Sequence, residues 1–163
     1  MTDARTQQDI QRPARRALRV AGWANIAIAA GQAIGLIWAW SMFAAVDVEE
    51  DMRELASQGA ALPYVLTLIT CAAFAVFGLY GLAGAGDLRR LPLLRTGLVA
   101  IAAIYVLRAT LFGGIDAVAE GDGAQIAFAA IALLIGLGYA YGALAHVRAQ
   151  RRGRGAAAAT PAL

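Results

Sequence analysis

The chain has 163 residues, 60% of them hydrophobic and 15% charged, with a mean hydropathy of +0.61. Soluble domains of this length run near half apolar and a quarter charged, so an ordinary soluble domain is excluded. All 14 basic residues are arginine, set against 11 acids and one histidine, for a net charge of +3.

A hydrocarbon core about 30 Å thick needs roughly 20 helical residues, and a charge at its centre costs about 2.5 to 3.5 kcal/mol. Spans are therefore sought as long apolar runs nearly free of charge. Residues 1–17 form a basic tail whose first 13 residues are polar and end at Pro13, and this segment is expected to be unstructured. The first span is expected at about 18–46. Its stretch from Val20 to Val46 carries no charge, with Trp23 near one end and Trp38 and Trp40 near the other, as interfacial belts require. The pattern Ala27-Ile28-Ala29 meets the loose form of a signal-peptide cleavage site. The apolar run continues well past it, so the segment is read as a retained span.

In the following loop Val48, Met52 and Leu55 recur at helical spacing, which predicts a short helix on the outer membrane surface. Asp47, Glu50, Asp51 and Glu54 share that spacing, but they lack the ordered ligand pattern of a calcium loop and are read as solvated acids. The second span is expected at 62–85, with Pro63 in its first turn, where a missing N–H costs nothing. The third is expected at 92–112, opened by Pro92 on the same logic and containing Arg108. The fourth is expected at 124–147. Residues 148–163 are read as a disordered basic and alanine-rich tail. No segment sustains strand alternation, so the expected fold is all-α, an integral membrane four-helix bundle over residues 18–147.

Arginine placement predicts the orientation. Arg5, Arg12, Arg15, Arg16 and Arg19 precede span one; Arg89, Arg90 and Arg95 lie between spans two and three; Arg148, Arg151, Arg152 and Arg154 follow span four. The other two connections hold eight acids and Arg53. By the positive-inside rule both termini are cytoplasmic. The basic surface attracts anionic lipids at about 1 kcal/mol per residue, which accounts for the pI of 9.5 without a nucleic-acid partner.

Helices in lipid associate through close backbone approach and interhelical hydrogen bonds. Three small-residue ridges suit this: Ala27, Gly31 and Gly35 on span one; Gly78, Gly81 and Gly84 on span two; Gly138 and Gly142 on span four. Asn25 and Gln32 share one face of span one. Gln125, Ala132, Tyr139 and His146 share one face of span four. These faces are expected to turn inward, either as packing contacts or as a polar path. Arg108 lies about 20 Å above Arg95, roughly 10 Å short of the outer boundary. It has three readings: a snorkelling side chain, an ion pair with Asp47 or Asp116, or an anion or phospholipid site with Tyr105 one turn away.

Absences narrow the chemistry. No acid lies within a span, as a proton-coupled carrier would use, and a single His cannot supply two haem ligands. The single Cys, Cys71, forms no intrachain disulfide and is read as a small packing residue. No catalytic triad, phosphate loop or zinc spacing is present, and no catalytic, cofactor or metal residue is assigned.

The segment Gly78-Leu79-Tyr80-Gly81-Leu82-Ala83-Gly84-Ala85-Gly86, followed by Leu88-Arg89-Arg90-Leu91-Pro92-Leu93-Leu94-Arg95 and by Tyr105-Val106-Leu107-Arg108, resembles a signature of small four-span bacterial inner-membrane proteins. The resemblance covers about a fifth of the chain, and it implies a compartment but no activity. Size and span count are also similar to DoxX-type and fluoride-channel proteins, without their motifs. The expected function is a noncatalytic accessory or envelope-associated subunit, its surroundings the bilayer, anionic lipids and a membrane partner or second copy. The alternative is a small oligomeric transporter or channel for a small solute or anion. A lipid-modifying or quinone-dependent enzyme is a third class, and it would need a cofactor the residues do not reveal.

Overall fold

A computed structural model describes residues 2–89, 91–110 and 123–158; of residues 2–11 and 150–158 it describes the backbone alone. Every regular element among them is helical: α1 (Thr2–Gly35), a 3-10 turn (Leu36–Trp38), α2 (Ala39–Ala45), α3 (Glu49–Gln58), α4 (Leu62–Ala85), α5 (Leu94–Thr110) and α6 (Gly123–Ala158). Among the described residues three stretches are long and apolar enough to cross a membrane: Arg12–Ala45, Leu62–Ala85 and Gly123–Ala149. The 17 described residues of α5 reach about 26 Å, slightly less than a hydrocarbon core. The expected third span included residues 111 and 112, which lie outside the described residues, as does Asp116.

The chain divides into two compact units, residues 1–22 with 80–163, and residues 23–79. The boundaries fall inside α1 and inside α4.

Unit 1 is built on glycine. Leu18 of α1 is almost fully buried and rests on Gly84 and Gly142, nearer to Gly142 than a Cβ there would permit. A Cβ on Gly81 would stand 2.8 Å from the Gly22 Cα and 3.0 Å from the Leu18 carbonyl oxygen, so α1 and α4 meet backbone to backbone. Gly138 faces Ala17 and Ala21, and α5 and α6 pack along each other, with Gly136 against Tyr105. This is the close approach that lipid-embedded helices need, because transfer from lipid to protein interior yields little hydrophobic gain.

The C-terminus of α4 shows why the chain turns where it does. Gly86 adopts φ +88°, a left-handed conformation that costs glycine little. The Asp87 N–H donates to the Leu82 carbonyl at 3.0 Å and the Gly86 N–H to Ala83 at 3.1 Å, the two bonds of a Schellman cap. Tyr80 donates its hydroxyl to the Pro92 carbonyl at 3.1 Å and lays its ring over Gly97. α5 begins at Leu94 rather than Pro92, because Leu93 takes the left-handed region at φ +53° and delays the helix by two residues.

Unit 2 departs further from expectation. Span one is interrupted: α1 stops at Gly35, a 3-10 turn follows, and Trp38 leaves helical geometry at φ −119°, ψ 49°. Residues 35 and 42 would be about 10.5 Å apart along a straight helix. Instead the Met42 Sδ comes within 2.5 Å of where a Gly35 Cβ would sit. The atoms nearest to that position all belong to Met42, so Gly35 receives a side chain of its own segment. α2 ends in the same kind of cap as α4, with Asp47 left-handed at φ 57° and the Val48 N–H donating to the Phe43 carbonyl at 3.0 Å. The predicted surface helix is present as α3, and its first turn carries Glu49, Glu50 and Asp51, which suit the positive end of the helix dipole. Arg53 pairs with Glu49 at 2.5 Å and lies 5.3 Å from the Trp40 ring centroid. Pro63 sits buried in the first turn of α4, where its carbonyl accepts the Thr67 hydroxyl at 2.8 Å.

Both tails are helical where unstructured chain was expected: α1 begins at Thr2 and passes through Pro13, and α6 continues to Ala158. Strong helix formers, chiefly Ala, Arg and Gln, extend each helix beyond its apolar part. Of the expected ridge on span one, Ala27 and Gly31 are exposed, and nothing lies within 4 Å of a Gly31 Cβ. The tight stretch lies earlier, at Ala17, Leu18, Ala21 and Gly22.

These contacts predict opposite outcomes for two like substitutions. Gly81→Ala forces the Gly22 backbone aside and should destabilise the protein by about 1–3 kcal/mol. Gly31→Ala should leave stability unchanged within about 1 kcal/mol. Thermal survival of the helical circular-dichroism signal in detergent measures both.

Candidate functional site

The buried polar side chains of the helices make internal contacts. In unit 1, Tyr139 is fully buried, and its ring stacks on that of Tyr105 with centroids 6.3 Å apart and planes 6° apart. A Gly81 Cβ would lie 2.8 Å from the Tyr139 hydroxyl, so the glycine that admits α1 also admits this phenol. One turn pair further along α6, the His146 Nε2 lies 3.0 Å from the Gly84 carbonyl. A carbonyl can only accept, so Nε2 carries the proton. That contact satisfies a last-turn carbonyl of α4, beside the two satisfied by the Schellman cap.

In unit 2, Asn25 is fully buried and Gln32 half-buried. The buried Cys71 thiol donates to the Gln32 Oε1 at 3.7 Å. Every buried side-chain nitrogen and oxygen among the described residues has a hydrogen-bond partner. The expected inward faces are thus occupied by buried Asn25 and Tyr139, with Gln32, Gln125 and His146 partly covered.

Arg108 is placed differently. It is exposed on α5, whereas Tyr105, one turn earlier, is buried against Tyr139, so the two do not share an environment. Asp47 is exposed at the end of α2 and belongs to the other unit, while Asp116 lies outside the described residues. No group of three His, Cys, Asp or Glu side chains converges as a metal site among the described residues.

The feature that residue-by-residue reading missed lies at one end of unit 1. There residues 14–19 of α1, the cap of α4, the start of α5 and the last apolar turns of α6 come together. Arg19 and Asp87 form a two-pronged ion pair, Nε to Oδ2 at 2.6 Å and Nη2 to Oδ1 at 2.5 Å. Asp87 is the one acid in the α4–α5 connection, among Arg89, Arg90 and Arg95, and an isolated opposite charge in a basic loop was the available signal. The hydrogen bond from Arg19 holds the Asp87 carboxyl below its usual 3.8, partial desolvation opposes this, and the charges of Arg19 and Arg15 reinforce it. Beside the pair opens a cleft of about 950 Å³, lined by Arg15, Arg95, His146, Leu93, Leu94 and Val147 among others.

Protein-family models, curated proteins and solved structures contain no match to the chain.

The lowered Asp87 value sets the sign of a pH effect. The ion pair stabilises the fold fully above the ordinary carboxylate value and loses that contribution as pH falls through the lowered one. Wild-type protein and Asp87→Asn should therefore differ in thermal survival by a constant margin from about pH 7 to 5, and the margin should close below about pH 4. Raised salt should narrow it at every pH, since both groups are exposed.

Proposed function

We propose that the chain is a four-span protein of the bacterial inner membrane, with both termini cytoplasmic, that acts without catalysis as an accessory subunit assembled with a membrane partner. The observation that carries this reading is the filled interior of unit 1. Leu18, Tyr139 and Tyr105 occupy the space between helices that already touch through glycine, and such packing suits a scaffold better than a conduit.

The outward surface supports the same reading. Ile34 is 61% exposed, Ile69 61% and Leu134 69%, so three different helices present large apolar side chains that need lipid or protein around them. Gathering Arg15, Arg19 and Arg95 at one end of unit 1 is what a shared cytoplasmic face requires. The resemblance of the Gly78–Arg95 segment to small bacterial inner-membrane proteins supports the compartment.

Topology is tested with the single native cysteine removed. In a Cys71→Ala background, Ser57→Cys should react with a membrane-impermeant maleimide in intact cells, and Thr160→Cys only after lysis. Labelling of Thr160→Cys in intact cells would mean an odd number of crossings and overturn the four-span reading. For the activity, a partner in fixed stoichiometry should co-purify from native membranes. Solute or anion flux through liposomes of the purified protein, lost in Gln32→Ala or Arg108→Gln, would replace the accessory role with transport.

A further inference from the structure

We propose that the cleft at the basic end of unit 1 is a binding site for an anionic phospholipid, with the headgroup phosphate held between Arg15 and Arg95. The cleft takes one cation from α1 and another from the first turn of α5. Beside it, Arg19 donates to both carboxylate oxygens of Asp87. Among the described residues that line the cleft there are two arginines and no acid. Guanidinium groups suit a phosphate, which accepts two parallel N–H bonds from one planar fork.

The apolar lining identifies the phosphate as that of a lipid. Leu93 lines the cleft with 78% of its surface exposed, in a left-handed backbone conformation that a leucine rarely adopts. Val99 also lines the cleft, one turn along α5 from Arg95, and is 54% exposed. The wall carries aliphatic side chains on both sides of Arg95, and a phospholipid likewise joins a charged headgroup to aliphatic chains. A free phosphate would use the arginines and leave Leu93, Leu94, Val99 and Val147 bare. The volume of about 950 Å³ admits a headgroup together with the first part of its chains.

The site rests on this end of unit 1 meeting the membrane surface. Cysteine labelling tests that separately, so the two readings can fail independently.

The experiment uses the full chain in a neutral detergent, titrated with dioleoylphosphatidylglycerol and, in parallel, with dioleoylphosphatidylcholine or inorganic phosphate. Bound lipid is counted by native mass spectrometry, and thermal survival of the helical signal is followed in the same samples. Wild-type protein should retain one phosphatidylglycerol at least tenfold more strongly than phosphatidylcholine, with a raised melting temperature. Arg15→Gln and Arg95→Gln should each weaken that retention several-fold and the double variant at least tenfold. Arg89→Gln, which removes an exposed charge outside the cleft, should change it less than twofold. Arg95→Lys should recover part of the loss.

Equal retention of both lipids would overturn the proposal, and so would a double variant that binds like wild type. A loss in Arg89→Gln matching that in Arg95→Gln would reduce the effect to a diffuse basic surface. Inorganic phosphate that reproduced the thermal shift would replace the lipid with a free anion. If the double variant does not yield folded protein, the single variants and the comparison of lipids on wild-type protein decide.

Discussion

The backbone contact between Gly22 and Gly81 is the constraint on which unit 1 depends. Helices in a bilayer gain little by exchanging lipid for protein, so their association rests on dispersion at short range and on hydrogen bonds. Removing both Cβ atoms lets α1 and α4 approach until a further methyl would lie 2.8 Å from backbone. The Leu18 seat follows from that approach, because Gly84 and Gly142 leave room for a branched side chain where two helices alone would leave a void. Tyr139 then fills the remaining space beside Gly81, and its stacking on Tyr105 ties α5 to the same centre.

The end of α4 converts this packing into a polar structure. Gly86 reverses the chain, and its cap satisfies the carbonyls of Leu82 and Ala83. The next carbonyl, that of Gly84, is met by His146, and the residue that completes the cap is Asp87, the partner of Arg19. One turn of backbone thus satisfies a helix terminus, recruits α6 and neutralises one arginine of α1. Arg15 and Arg95 line the cleft at the same end.

Much of this was legible in the residues. The apolar blocks located α4 and α6 within a residue or two of their apolar limits, and the spacing of Val48, Met52 and Leu55 anticipated α3. Tyr139 and Asn25 were recognisable as inward-facing because a phenol or amide in hydrocarbon needs a partner. The break at Gly35 was not legible, because its cause is the return of Met42, and an apolar run reads the same whether it is straight or folded back. The tight ridge of α1 was misplaced for a related reason. Small residues are frequent along this chain, and which of them meets a neighbour depends on the azimuth of packing, a property no single helix possesses.

Composition and order of residues by themselves determined that the chain is helical and apolar enough for a membrane, because hydrocarbon admits no unsatisfied backbone and charges accumulate between the spans. They also marked the arginine-rich segments. Only the tertiary structure decided that Arg19 faces Asp87 and that Arg15 and Arg95 line one cleft. Those pairings join residues 68 or more positions apart, brought together by glycine contacts whose partners lie on other helices, and local sequence carries no record of such distances.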